Sequence, residues 1–344
     1  MIGLTERGFF PLRKNSTFNL YKTKPMKTKN LVLAISCCVI ATSLTFTSCK
    51  KKETKQDESG QASTDSRQAI SENDASINDI NQTVSDYPLM HGRLASSAQT
   101  ASTTICGLSV DTVGSYMGTI KLNYNGTVCN NRKREGSIRL TILNYASGQR
   151  WKMAGCVMKV EYLGYKVTRA SDGVYIELNG TQNLTNISGG TWFDLLFLGQ
   201  PNLSSSVTGT NLNVNFSPSS MAVYNINRKF TYTWASNVLT CKGEGIGTSG
   251  GLNNLENYGT TRHGDAFTSQ VTSPIIWNST CGWGAPISGH LDIKVASLNY
   301  DLDCLFGVDN SGNAISVGSN QCPYGWKLTW TVNSTAQDKV IGYW

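Results

Sequence analysis

The sequence predicts an all-β protein: one or two β-sandwich-like units built from related strand blocks, behind a short N-terminal helix and tether. Three observations carry this. Beyond about residue 105 apolar residues recur with a period of two, turn signals separate those runs, and the composition is rich in glycine (33) with only 15% charged residues.

Each strand rests on its own alternation. Ile138, Leu140 and Ile142 alternate with Ser137, Arg139 and Thr141, and Leu212, Val214 and Phe216 alternate with asparagines. Phe230, Tyr232 and Trp234 are separated by threonines, while Leu291, Ile293 and Val295 flank Asp292 and Lys294. Trp326, Leu328, Trp330 and Val332 complete the set. This spacing puts one face in a core and the other in water. Asn125-Gly126, Asp172-Gly173, Asn179-Gly180, Ser249-Gly250-Gly251 and Asn310-Ser311-Gly312 supply the turns. A weak echo, LNYNGTVC at 122–129 and LNYDLDC at 298–304, predicts two related β units at 105–240 and 241–344.

The N-terminal part has a different character. Residues 1–25 show no coherent pattern and read as an over-long start, with translation beginning at Met26. Residues 26–48 carry two lysines and then an apolar run of suitable length for a lipoprotein signal, too short and interrupted for a spanning helix. FTSC at 46–49 resembles a lipobox, so Cys49 is the expected lipidation site and the partner is a membrane reached through that lipid. The expected location is the outer membrane, with either face open. Residues 49–104 read as a polar tether with a short helix near 71–86, where Ile70, Ile77, Ile80 and Val84 share a face and Ser71 with Asp74 resembles a capping box.

Charge excludes one class of partner. The chain has 30 basic and 23 acidic residues, of which seven and one fall in residues 1–48. The mature part therefore has 23 against 22, and nucleic acid is not an expected partner.

CNNRKREGSIRLTI, MAGCVMKVEYLGYKV and IELNGTQNLTN together resemble a recurring block in uncharacterised envelope lipoproteins of Bacteroidota. GTTRHGDAFTSQVTSPI and HLDIKVASLNYDLDCLFG resemble its downstream half. The resemblance implies a β-rich envelope lipoprotein over residues 105–344, and it carries no activity or catalytic residue.

Seven cysteines follow Cys49, and an oxidising envelope favours disulfides among them. Cys106 with Cys129 and Cys304 with Cys322 are plausible local pairs, the connectivity staying open. No metal or cofactor is expected, because no CxxC, HExxH, nucleotide or nucleophile motif is present. Asp301, Asp303 and Asp309 do not match a calcium loop. His263 and Asp265, two apart in RHGDAF, are the most enzyme-like local arrangement, and a hairpin with solvated side chains is the plainer reading. Trp277 and Trp283, in a Gly/Pro-containing loop, are the expected exposed aromatic pair for a glycan, whereas Trp234, Trp326 and Trp330 are expected in the core. Asp111-Thr112-Val113 resembles an O-glycosylation signal and makes Thr112 a candidate for modification. The expected function is therefore non-enzymatic binding or assembly at the envelope, with a glycan or an envelope protein as partner. The rivals are a glycan-binding adhesin and a glycan hydrolase using two carboxylates, for which Glu161, Glu177, Glu244, Asp292, Asp301 and Asp303 are the available acids.

Overall fold

The computed structural model describes residues 55–87, 90, 105–299, 301–315, 321–332 and 334–343. Cys49 and the leader lie outside them. Among the described residues the protein is all-β apart from a long helix, α1 (Lys55–Asp86), a short one, α2 (Trp192–Phe197), and two 3-10 turns.

Fifteen strands join in one antiparallel sheet. They are β1 (Leu108–Asp111), β2 (Thr119–Cys129), β3 (Arg132–Ile142), β4 (Cys156–Arg169), β5 (Tyr175–Asn186), β6 (Leu203–Phe216), β7 (Ser220–Ala235) and β8 (Val238–Gly245) in the first part. β9 (Gly247–Ser249), β10 (Leu252–Thr260), β11 (Ala266–Asn278), β12 (Ser288–Val295), β13 (Leu302–Val308), β14 (Gly325–Val332) and β15 (Thr335–Gly342) follow. The path runs β1 to β7 in order, then β10 to β15; β8 bridges β7 and β11, and β9 pairs with β10. The expected boundary near residue 240 is therefore not a break. β7, β8, β10 and β11 are hydrogen-bonded across it, and one sheet takes the place of two sandwich-like units.

The sheet curls round α1. Helix side chains reach Tyr124 on β2, Arg134 on β3, Tyr162 on β4, Gln182 on β5, Arg228 on β7, Glu256 on β10 and Cys304 on β13. A row of bulges allows this curvature, with register shifts between Glu135 and Ser137, Tyr162 and Tyr165, Asn179 and Gln182, and Gly209 and Leu212. Bulges bend a strand and increase its twist. Gly136 shows why the sequence needs glycine there: its φ is 85°, and a Cβ would lie 1.9 Å from the carbonyl oxygen of Gly164. Outward positions carry Lys121, Arg139, Lys159, Glu177, Asn183 and Lys229, so the outer surface is polar rather than a lipid-facing band.

The tether expectation changes accordingly. Residues 55–70, expected as part of a disordered spacer, are helical, and most of α1 from Gln61 onward is shielded by the sheet. Ile70, Ile77, Ile80 and Val84 do share a buried face. The Ser71–Asp74 capping box does not form, because the helix begins sixteen residues earlier and Asp74 instead pairs with Arg228. Polar composition misled the reading: the polar helix residues find partners on the sheet in place of water. Residues 91–104 of the expected tether lie outside the described residues.

Of the expected disulfides, Cys106–Cys129 forms. Cys304–Cys322 does not. Cys322 bonds Cys281, while Cys304 points inward from β13 to Ser63 of α1 and stays a buried thiol. Burial pushes that thiol up to about 12.

Candidate functional site

The sheet leaves an open seam where its early and late strands face each other. No backbone pairing joins β1 to β15 among the described residues. There the β2–β3 turn meets the β11–β12 loop, and Gly284 of that loop lies against the guanidinium of Arg132. Both disulfides stand beside this seam. Cys106–Cys129 ties the chain before β1 to the end of β2, and Cys281–Cys322 ties the β11–β12 loop to the β13–β14 connection.

The seam holds a cleft in two chambers that share Arg132 and Gly284. The inner chamber, about 50 Å³, has a polar floor from α1: Thr64, Arg67, Gln68, Ser71, Glu72 and Asp74. Its opposite wall is aromatic, made by Trp277, Phe306, Trp326 and Tyr343. The outer chamber, about 320 Å³, is bordered by Thr127, Asn130, Arg132 and Arg134 and by the disulfide cysteines. That volume is at the lower end of small-molecule sites, about 300–1,000 Å³.

Strand alternation and the helix period explain these placements. Trp277 follows Ile275 on the inward face of β11, and Trp326 starts the inward series of β14 with Leu328 and Trp330. Tyr343 is fixed by its hydroxyl, which donates to the Pro286 carbonyl (2.9 Å) and accepts from the Gly307 N–H (3.3 Å). On the floor, Arg67 pairs with Glu256 and lies over the Phe306 ring at 4.9 Å. Asp74 pairs with Arg228, which also approaches Trp277. Burial holds Asp74 above the usual carboxylate range despite that partner.

At the neck, Arg132 makes a long contact to Glu72, 3.4 Å from Nη1 to Oε1, and Glu72 Oε2 is buried without a hydrogen-bond partner among the described residues. Arg134 donates one Nη1 bond to Asp79 at 2.8 Å. Two guanidiniums thus face the outer chamber, each using part of its donor set on a helix acid.

The sequence-predicted residues fall in several places. Trp277 lines the inner chamber but is only 3% exposed, so it is not half of an exposed pair. Its position on the inward face of β11 overrides the loop-like Gly/Pro context. Trp283 packs against Trp192 and Tyr232 beside the cleft. Trp326 and Trp330 are in the core as expected, whereas Trp234, at the end of β7, is exposed. His263 and Asp265 share a turn in which both backbone N–H groups donate to Thr261 Oγ1, and no hydrogen bond joins their side chains. Their neighbour Arg262 reaches in to Asp65. Thr112 is exposed on the β1–β2 connection.

Comparison with protein-family models, curated proteins and solved structures finds no match to this chain. The site therefore stands on its own geometry. The acids considered for hydrolysis stand apart from the cleft on outward strand positions. Glu161 contacts Arg139 and Lys159, Glu177 contacts Asn179, Glu244 contacts Lys242, and Asp301 contacts Lys294. Asp292 and Asp303 face each other across β12 and β13 beside His290, whose Nε2 lies 2.8 Å from Asp303. Ligand atoms of those three lie within 4.8 Å of one another, a grouping that cross-strand register creates and sequence spacing does not show.

One further surface stands out. Val113, Tyr116 and Met117 before β2 and Phe193, Phe197 and Leu198 around α2 are exposed. The β3–β4 loop joins these two groups, since Ile142 N–H donates to Gly118 O at 2.9 Å and Gly190 N–H donates to Lys152 O at 2.7 Å. The result is an apolar rim near the C-terminal end of α1, where Trp151 N–H donates to Met90 O.

Proposed function

We propose that the chain is a lipid-anchored cell-envelope lipoprotein that works by binding rather than catalysis, with the seam cleft as its ligand site. The observation that carries this is the cleft itself: an aromatic wall, a polar helical floor and two guanidiniums converge there, braced by both disulfides. Convergent polar groups beside an apolar wall are the usual make-up of a small-molecule site. The two disulfides support an oxidising compartment, in keeping with export and Cys49 lipidation to the outer membrane. Of the acids named for hydrolysis, only Asp292 and Asp303 lie side by side and none lines the cleft, which supports the non-enzymatic reading. The exposed apolar side chains before β2 and around α2 support a part in assembly, since clustered exposed apolar residues mark contacts.

Metabolic labelling with a palmitate analogue tests the anchor. The wild-type chain is expected to take up label and fractionate with outer membranes, and Cys49→Ala is expected to lose both. Labelling that persists in Cys49→Ala would contradict the anchor. Protease shaving of intact cells then assigns the face: loss of the domain places it outside.

A further inference from the structure

We propose that the seam cleft takes an acidic saccharide, a sugar ring bearing a carboxylate or sulfate, with the anionic group on Arg132 and Arg134. This deepens the binding reading and rests on it.

The anionic group is chosen by the outer chamber. Arg132 and Arg134 border it, whereas Glu72 and Asp79, their acidic partners, do not. Beyond its 3.4 Å contact with Glu72, Arg132 donates to no other protein acceptor among the described residues. A guanidinium presents paired N–H groups that match a carboxylate or sulfate edge. Asn130 and Thr127 add neutral polar groups at the same border.

The sugar is chosen by the inner chamber. Its aromatic wall suits the C–H groups of a ring substituent, and its floor offers hydroxyls from Thr64 and Ser71, the Gln68 amide and two carboxylates. Glu72 Oε2 and Asp74 Oδ2 are buried in side chains that line this chamber and have no hydrogen-bond partner among the described residues. Buried acceptors of that kind need donors, and ring hydroxyls supply them. An aliphatic chain would leave those carboxylates unmet. At about 50 Å³ the inner chamber admits one ring substituent, while the ring occupies the neck and outer chamber. The neck is open because residue 284 has no side chain: a Cβ there would lie 3.2 Å from Arg132 Nη2.

The test is calorimetric titration of the full mature chain with glucuronate-containing and heparin-derived sulfated oligosaccharides, neutral malto-oligosaccharides of equal length and simple non-sugar anions. Acidic saccharides are expected to bind at least tenfold more tightly than neutral ones and to weaken as salt rises. Arg132→Gln is expected to lose at least tenfold. Because that variant also disturbs Glu72, Gly284→Val is the second arm; it narrows the neck by crowding Arg132 Nη2 while replacing neither guanidinium nor any helix residue, and is expected to lose binding with an unchanged melting temperature. Equal binding of neutral sugars, or acidic binding unaffected by Gly284→Val, overturns the proposal. Binding of non-sugar anions alone, lost in Gly284→Val, overturns the saccharide and leaves the cleft as a ligand site. Binding of nothing in the panel overturns both.

Discussion

The two halves of α1 sit in the same shell but are held by different forces. Residues 62–67 face β10 to β13 through charge: Asp65 pairs with Arg262, Arg67 with Glu256, and Ser66 accepts from Asn257. Residues 73–84 face the long strands β2 to β7 mainly through packing and neutral hydrogen bonds, with Asp79 on Arg134 an ion pair among them. Ile77, Ile80 and Val84 are fully enclosed, Ser76 and Asn73 meet the Tyr162 hydroxyl, and Asn78 accepts from Tyr232. Arg228, with Asp74 and Glu256 around it, stands where the two regimes meet. A helix of negative mean hydropathy can thus serve as a core element when the sheet supplies partners for most of its buried polar side chains.

The sharpest way to break this comparison is at the junction. Arg228→Ala leaves Asp74 buried without its cation and Glu256 with Arg67 alone, and is expected to cost about 3–5 kcal/mol in chemical denaturation. A loss below about 1 kcal/mol would mean water already reaches the pair. In the apolar half, Ile80→Ala is expected to cost about 2–5 kcal/mol through lost burial and a residual cavity. Had α1 been a solvated tether, the same change would be nearly silent.

Opening the Cys281–Cys322 bridge with a double serine variant should cost about 2–4 kcal/mol, from a separation of 41 residues. It should also loosen the β11–β12 loop at the cleft before it disturbs α1, as read by amide exchange. Tyr232→Phe removes the bond to Asn78 and is expected to cost about 1 kcal/mol.

The smallest effect is one of pH. Burial holds Asp79 above the usual carboxylate value, outweighing Arg134 and the Tyr124 hydroxyl. A raised folded-state value contributes stability that is full below the unfolded value and is lost as pH rises through the folded one. Asp79→Asn should therefore flatten the fall in stability between the carboxylate range and neutrality. A steeper fall in the variant would contradict the assignment.

Strand existence was legible because each strand carries its own alternation, as in Ile138, Leu140 and Ile142, which all point inward. The helical face of Ile70, Ile77, Ile80 and Val84 was legible for the same reason. What the helix does was not. Asp65, Arg67 and Asp74 look solvated in the chain, and their partners Arg262, Glu256 and Arg228 lie more than 150 residues away. The cleft was hidden similarly. Arg132 sat in a basic loop and Trp277 beside a Gly/Pro loop, and only curling of the sheet brings both to one cavity. The bulges that curl it fall at places such as Asn179-Gly180, which reads locally as a turn yet lies inside β5.

Helix α1 is the interior of the shell and not a tether to it. Amide hydrogen exchange along residues 60–86 tests this most directly. Protection from Ser66 to Ile80 is expected to be comparable to that of β4 and β7, the ion-paired and apolar halves exchanging together through global unfolding. Exchange of that stretch at the rate of a free peptide, with β4 and β7 still protected, would contradict it.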